Sequence, residues 1–124
     1  MSIFDGLLGN ASEHDAQEIQ QDLERLLASD ERVEKAYAIL RDQIIFTNKR
    51  LILLDKQGVT GKKKEYLSVP YRSIERFSTE TTGHFDLDAE LKIWIRGAAE
   101  PISKTFRNDQ NILDISRALA EYAL

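Results

Sequence analysis

Gln43-Ile44-Ile45-Phe46-Thr47-Asn48-Lys49-Arg50-Leu51-Ile52-Leu53-Leu54 holds two apolar runs joined by two polar residues. Runs of this length, rich in Ile, Leu and Phe, predict two β-strands, Gln43–Thr47 and Arg50–Leu54, with Asn48-Lys49 as a two-residue turn. The apolar residues are consecutive instead of alternating (Ile44, Ile45, Phe46; then Leu51 to Leu54). A strand with one wet face alternates, so these two are expected to be covered on both faces. The cover would come from a helix lying on a strongly bent sheet, or from a subunit contact outside it.

Outward from this hairpin the chain keeps the same character. Before it, Val33–Leu40 reads as a strand turned at Arg41-Asp42. Earlier still, Ser12 is placed to cap a helix with Glu13 and Asp15 in its first turn. Ala16, Ile19, Leu23 and Leu26, with Leu27 beside them, form an apolar stripe that predicts a helix to about Ala28. Ahead of that helix stands a short apolar lead containing Ile3, Phe4, Leu7 and Leu8, too short to be stable alone. After the hairpin, residues 57–64 form a loop with a basic end. Glu65–Val69 is a strand stopped by Pro70, and Ile74–Thr81 is another. Asp86–Arg96 alternates: Leu87, Ala89, Leu91, Ile93 and Ile95 point one way, and Asp86, Asp88, Glu90, Lys92 and Trp94 the other. Gly97 breaks it, and Pro101–Phe106 is the last strand. Asn108 or Asp109 then caps a closing helix with a stripe at Ile112, Ile115, Leu119 and Tyr122. About seven short strands between two amphipathic helices predict one mainly-β domain, a partly closed antiparallel barrel whose open end a terminal helix can plug.

Composition narrows the function. The chain has 124 residues, 42% hydrophobic and 31% charged, with two prolines and six glycines, which suits a single folded domain. It has no cysteine, so thiolate metal sites, disulfides and cysteine nucleophiles are excluded. The N-terminus lacks a basic leader and a sustained apolar run, so a cytoplasmic location is expected. Net charge is −4. The first 35 residues hold nine acidic side chains against three basic, and Arg41 to Lys64 hold seven basic against two acidic. A nucleic-acid partner is not expected of an acidic chain, although a local basic patch is available.

Several phrases together resemble the bacterial pleckstrin-homology (PH) domain family from about Val33 to Leu124. They are Arg41 to Leu53, Asp55-Lys56-Gln57-Gly58 with Gly61-Lys62-Lys63, Ser68-Val69-Pro70-Tyr71-Arg72-Ser73-Ile74, Glu80-Thr81-Thr82-Gly83, and Asp86 to Leu91 with Ile93-Trp94. The resemblance implies a seven-stranded PH-like barrel capped by a C-terminal helix. Residues 31–124 would form the PH-like domain and residues 1–30 an N-terminal helical extension. It also implies cyclic homo-oligomers, with a five-membered ring as the expected form, and protein binding without catalysis. Phosphoinositide-binding PH domains clasp phosphates with a long basic loop between their first two strands. Here that connection is only Arg41-Asp42, half of it acidic, so headgroup recognition of that kind and membrane association are not expected.

Candidate sites follow from the same residues. Asp86, Asp88 and Glu90 lie on one strand face, about 7 Å apart by strand rise. With Glu80, and with Thr47, Asn48, Lys49 and Arg50 of the hairpin, they form the expected partner-binding surface, acidic and basic rows meeting where subunits join. A solvated strand face and a plain turn are the simpler readings of the two rows. Trp94 shares the outward face, and fits either a subunit seam or cover by a terminal helix of its own chain; Ile3 and Phe4 are further candidates for a subunit interface. Lys62, Lys63 and Lys64 could meet an anion or an anionic membrane, the alternative function for the chain. The nearby Gly58-Val59-Thr60-Gly61-Lys62 has two residues between its glycines where a phosphate loop needs four. His14 and Glu18 are one helical turn apart, but two ligands are insufficient for a metal. No catalytic motif, cofactor site or metal site is expected.

Overall fold

A computed structural model describes residues 13–39, 42–57, 63–81, 89–106 and 112–124. Its order is α1 (Glu13–Asp22), β1 (Val33–Ile39), β2 (Asp42–Thr47), β3 (Arg50–Gln57), β4 (Lys63–Pro70), a 3-10 turn (Tyr71–Ser73), β5 (Ile74–Glu80), β6 (Ala89–Ile95), β7 (Ile102–Phe106) and α2 (Ile112–Ala123). The seven strands divide into a four-stranded sheet, β1-β2-β3-β4, and a three-stranded sheet, β5-β6-β7. The break falls where proline, which has no N–H to donate, ends β4 and the 3-10 turn follows. The chain divides after Ser68 into two compact units.

In the first unit the hairpin forms as its sequence predicts. Ile44, Ile45, Phe46 and Thr47 of β2 and Leu51 to Leu54 of β3 are all buried, so consecutive apolar residues do mark strands covered on both faces. Antiparallel register sets Ile45 against Ile52 and Phe46 against Leu51. On the other side β2 pairs with β1, Ala36 opposite Ile45 and Tyr37 opposite Ile44. The Tyr37 and Phe46 rings meet edge-on at 6.1 Å between centroids, a preferred aromatic geometry. Helix α1 packs against β1 and buries Ile19, with Leu23 buried just past its end.

The helix is shorter than its stripe predicts. It ends at Asp22, and Leu23 to Leu26 continue as turns. The Glu24 N–H bonds the Gln21 carbonyl and the Leu26 N–H bonds that of Leu23, three-residue closures that tighten the chain away from α-helical pitch. Leu26 is consequently 40% exposed and does not belong to the core stripe.

In the second unit, β6 pairs with β5 and β7, and it alternates in burial as the sequence predicts. Ala89, Leu91 and Ile93 are buried, while Glu90, Lys92 and Trp94 are half-buried. Gly97, at a φ of 87°, follows β6 in a conformation that costs glycine little. Helix α2 packs on β5, burying Ile112, Ile115, Ala118 and Leu119. Tyr122 stacks on Tyr71, centroids 5.3 Å apart. Among the described residues no helix is long and apolar enough to cross a membrane.

Candidate functional site

Three arrangements gather the chemistry-bearing residues. The first surrounds Glu31, which follows the turns after α1. Its side chain is 1% exposed. Oε1 accepts the Ala28 N–H at 2.9 Å and an Arg50 Nη2 hydrogen at 2.9 Å. Oε2 accepts the Thr47 hydroxyl at 2.6 Å and Arg50 Nε at 2.8 Å. Burial alone would raise the Glu31 pKa. The hydrogen bonds from Arg50, Thr47 and Ala28 outweigh it and hold the carboxyl at about 2. Arg50 extends the network, giving Nη1 to Ser68 Oγ at 2.7 Å and Nη2 to the Leu26 carbonyl at 2.9 Å. One guanidinium thus ties together the post-helical turn, the β2–β3 hairpin and β4.

Beside it, the Asn48 side chain closes the hairpin tip onto the strand entry. Its Oδ1 accepts the Arg32 N–H at 2.7 Å and its Nδ2 donates to the Asp30 carbonyl at 3.0 Å. Lys49 pairs with Asp30 at 3.1 Å on the open surface, where such a pair contributes little. Thr47, Asn48 and Arg50, expected from the sequence to face a partner, are therefore engaged inside their own chain. Thr47 is fully buried and offers no surface. Glu31 carried no signal in the sequence, being one acid among nine in the first 35 residues; only the fold reveals its partners.

The second arrangement is the polar face of the three-stranded sheet. Register places Arg76 opposite Trp94, Ser78 opposite Lys92 and Glu80 opposite Glu90. The Arg76 guanidinium lies 4.5 Å from the Trp94 ring centroid, a cation–π contact. Trp94 thus remains half-buried on this face under an arginine of its own chain. Glu80 directly opposes Glu90, a like-charge pair that destabilises a ladder, and Lys92 at 3.6 Å from Glu90 relieves it only in part. Asp86 and Asp88, together with Ile3, Phe4 and Lys62, lie outside the described residues.

The third arrangement is the outer strand β4, where Lys63 to Ser68 are all exposed. Tyr66 is 38% and Leu67 40% exposed. Lys63 and Lys64 are successive on a strand and so point to opposite faces.

An open, mainly polar crevice of about 650 Å³ lies along Gln20, Gln21, Glu24 and Ser29. Among the described residues no group of three or more His, Asp or Glu could hold a metal ion. No buried polar side-chain atom among them lacks a partner.

Comparison with known proteins places these features in a family. A family model described as bacterial PH domain matches residues 2–123. The Bacillus subtilis (strain 168) protein YjqA is 56% identical over 121 residues, 97% of each chain. A pleckstrin homology domain crystal structure from Shewanella amazonensis SB2B superposes with a TM-score of 0.85 at 47% identity, covering 99% of both chains. A DUF1696 family protein with a pleckstrin-homology domain from Shewanella loihica PV-4 gives a TM-score of 0.77 at 46% identity, covering 88% of this chain and 93% of its own. None of these descriptions indicates a catalytic family.

Proposed function

Because this chain belongs to the bacterial PH domain family, we propose that it is a non-catalytic assembly module that joins copies of itself into a closed ring and displays a polar surface to a protein partner. One observation carries this reading. Strand β4 is outermost in its sheet and exposes six successive residues, Tyr66 and Leu67 among them. Outer strands that stay single are normally short, charged or covered, because their free backbone groups invite pairing with another chain. An eight-residue outer strand with two large apolar side chains in water fits a subunit seam. Glu31, the buried carboxylate of the first unit, is committed to hydrogen bonds of the fold.

The partner surface draws on Glu80 and Glu90, with Asp86 and Asp88 from the segment ahead of β6, and on Lys49 at the hairpin tip. The only partly relieved Glu80–Glu90 opposition favours a basic partner, since a further cation there removes a repulsion the free protein must bear. The alternative, an anionic lipid held by the basic run, is weaker because Lys63 and Lys64 diverge to opposite faces of β4 and make no single patch.

Native mass spectrometry over a range of protein concentration and salt tests the assembly. A single closed multiple of the chain mass, persisting on dilution, is the expected result, and its value reads the ring size against the expected five. A single-chain mass at every concentration would refute it.

A further inference from the structure

We infer that the outer face of the three-stranded sheet measures an extended peptide lying along β6: a basic side chain seats between Glu80 and Glu90, and an aromatic side chain four residues along seats on Trp94. This inference rests on the reading above of a basic protein partner and specifies the form that partner takes. It concerns the face of the sheet, not its edges, and stands whatever the number of copies in the assembly.

Register lays the face out. Directly opposed residues of paired strands share a face, as do residues two apart on one strand. The pairing of β6 with β5 and β7 therefore gives three rows: Arg76 beside Trp94; Ser78, Lys92 and Ser103; then Glu80, Glu90 and Thr105. Arg76, Ser78, Glu80, Ser103 and Thr105 are exposed, and Glu90, Lys92 and Trp94 are half-buried. Leu91 and Ile93, which alternate with them, are buried on the opposite face. Each row lies about 7 Å from the next, so Trp94 and Glu90 stand about 13 Å apart along β6. Side chains four residues apart in an extended peptide span the same distance and point the same way, so positions i and i+4 of one segment reach both ends.

Charge selects the occupant of one end. Arg76 is already committed, stacked over Trp94 at 4.5 Å from its ring centroid and 2.7 Å from the Glu75 carboxylate. Lys92 serves Glu90 at 3.6 Å with both side chains partly in water, where such a pair contributes little. The excess of negative charge therefore sits in the row of Glu80 and Glu90, where a guanidinium from outside meets two carboxylates and an acidic group would add to their repulsion. Shape selects the occupant of the other end. Among the described strand residues of this face Trp94 is the one large apolar side chain. Tryptophan and arginine are the side chains that most often carry binding energy at an interface, and an aromatic ring laid against them removes apolar area from water. The middle row, two serines and Lys92, asks for a polar residue at i+2.

Trp94 is the only tryptophan in the chain, so its fluorescence reports on this face directly. Two tryptophan-free peptides of identical composition serve as probes: acetyl-Arg-Ser-Gln-Ser-Phe-amide and acetyl-Arg-Ser-Phe-Ser-Gln-amide. They set the basic and aromatic groups four and two residues apart. At low salt the first is expected to change Trp94 emission saturably and to bind about tenfold more tightly than the second, with both weakened by added salt. Glu80→Gln together with Glu90→Gln removes a repulsion and so keeps the fold, which far-UV circular dichroism checks; it should lower affinity for the first peptide about tenfold. Equal binding of the two peptides, lost on the double substitution, would overturn the four-residue spacing while leaving a basic partner on this face. A response to the first peptide that survives the double substitution, or no response to either peptide at low salt, would overturn the basic-partner reading as well. Native mass read on the same samples keeps each of these results separate from the assembly reading.

Discussion

Arg50 is the residue on which most of the first unit's polar structure depends. It carries two hydrogen bonds to the buried Glu31 and one each to Ser68 and Leu26. Arg50→Ala leaves Glu31 charged, buried and short of its main partner, a situation that typically costs about 3–5 kcal/mol. Chemical denaturation should therefore show a drop of that order, and Arg50→Lys should recover only part of it, because an ammonium cannot grip both carboxylate oxygens as the planar fork does. The same carboxylate sets an acid dependence. Its pKa is depressed to about 2 in the fold, so its stabilisation is present in full above the unfolded-state value and is lost as pH falls toward 2. Glu31→Gln should lower stability at pH 7 and flatten the fall between about pH 5 and pH 2, which denaturant midpoints across that range would read. Unchanged curvature would show that other carboxylates govern the acid limb.

At the scale of elements, strand identity was legible in the sequence wherever burial alone determined the pattern. Ile44 to Phe46 and Leu51 to Leu54 announced doubly covered strands, and Ala89, Leu91 and Ile93 announced a one-sided strand, because hydrophobic burial acts position by position. Where tertiary hydrogen bonds compete with local ones, the sequence was a poor guide. Leu23, Leu26 and Leu27 continue the stripe of α1, yet Glu31 takes the Ala28 N–H and Arg50 takes the Leu26 carbonyl, so that segment turns instead of winding on. The partners of the hairpin tip were illegible for the same reason: Asn48 and Arg50 bond Asp30, Arg32 and Glu31, a segment distant from them in sequence. Helix α2 is an element whose stripe and burial coincide. Leu119 is fully buried against its own unit, so Leu119→Ala should cost about 2–5 kcal/mol, whereas Leu113→Ala, at 66% exposure, should be nearly silent in a thermal melt.

For the whole molecule, assembly and partner capture are separable, because the proposed seam lies on β4 and the proposed partner surface on the acidic residues of β5 and β6. Glu80 stands on outer strand β5 and Glu90 on central strand β6, both in the three-stranded sheet, whereas Tyr66 and Leu67 stand on β4 of the other sheet. Reversing Asp86, Asp88 and Glu90 together should therefore leave the native mass of the ring unchanged. The stretch 86–90 would turn from acidic to basic, so a basic partner that the unaltered ring retains on affinity resin should be lost, and retention by the unaltered ring should weaken as salt screens the contact. Tyr66→Asp with Leu67→Asp on β4 should act in the opposite order, dissociating the ring first and weakening partner retention as a consequence of lost multivalency. If the triple reversal instead dissolved the ring, the acidic face itself would be the seam. If it kept both mass and retention, the partner would have to be met elsewhere, and the partly relieved Glu80–Glu90 opposition would then be a cost of the fold with no return in recognition.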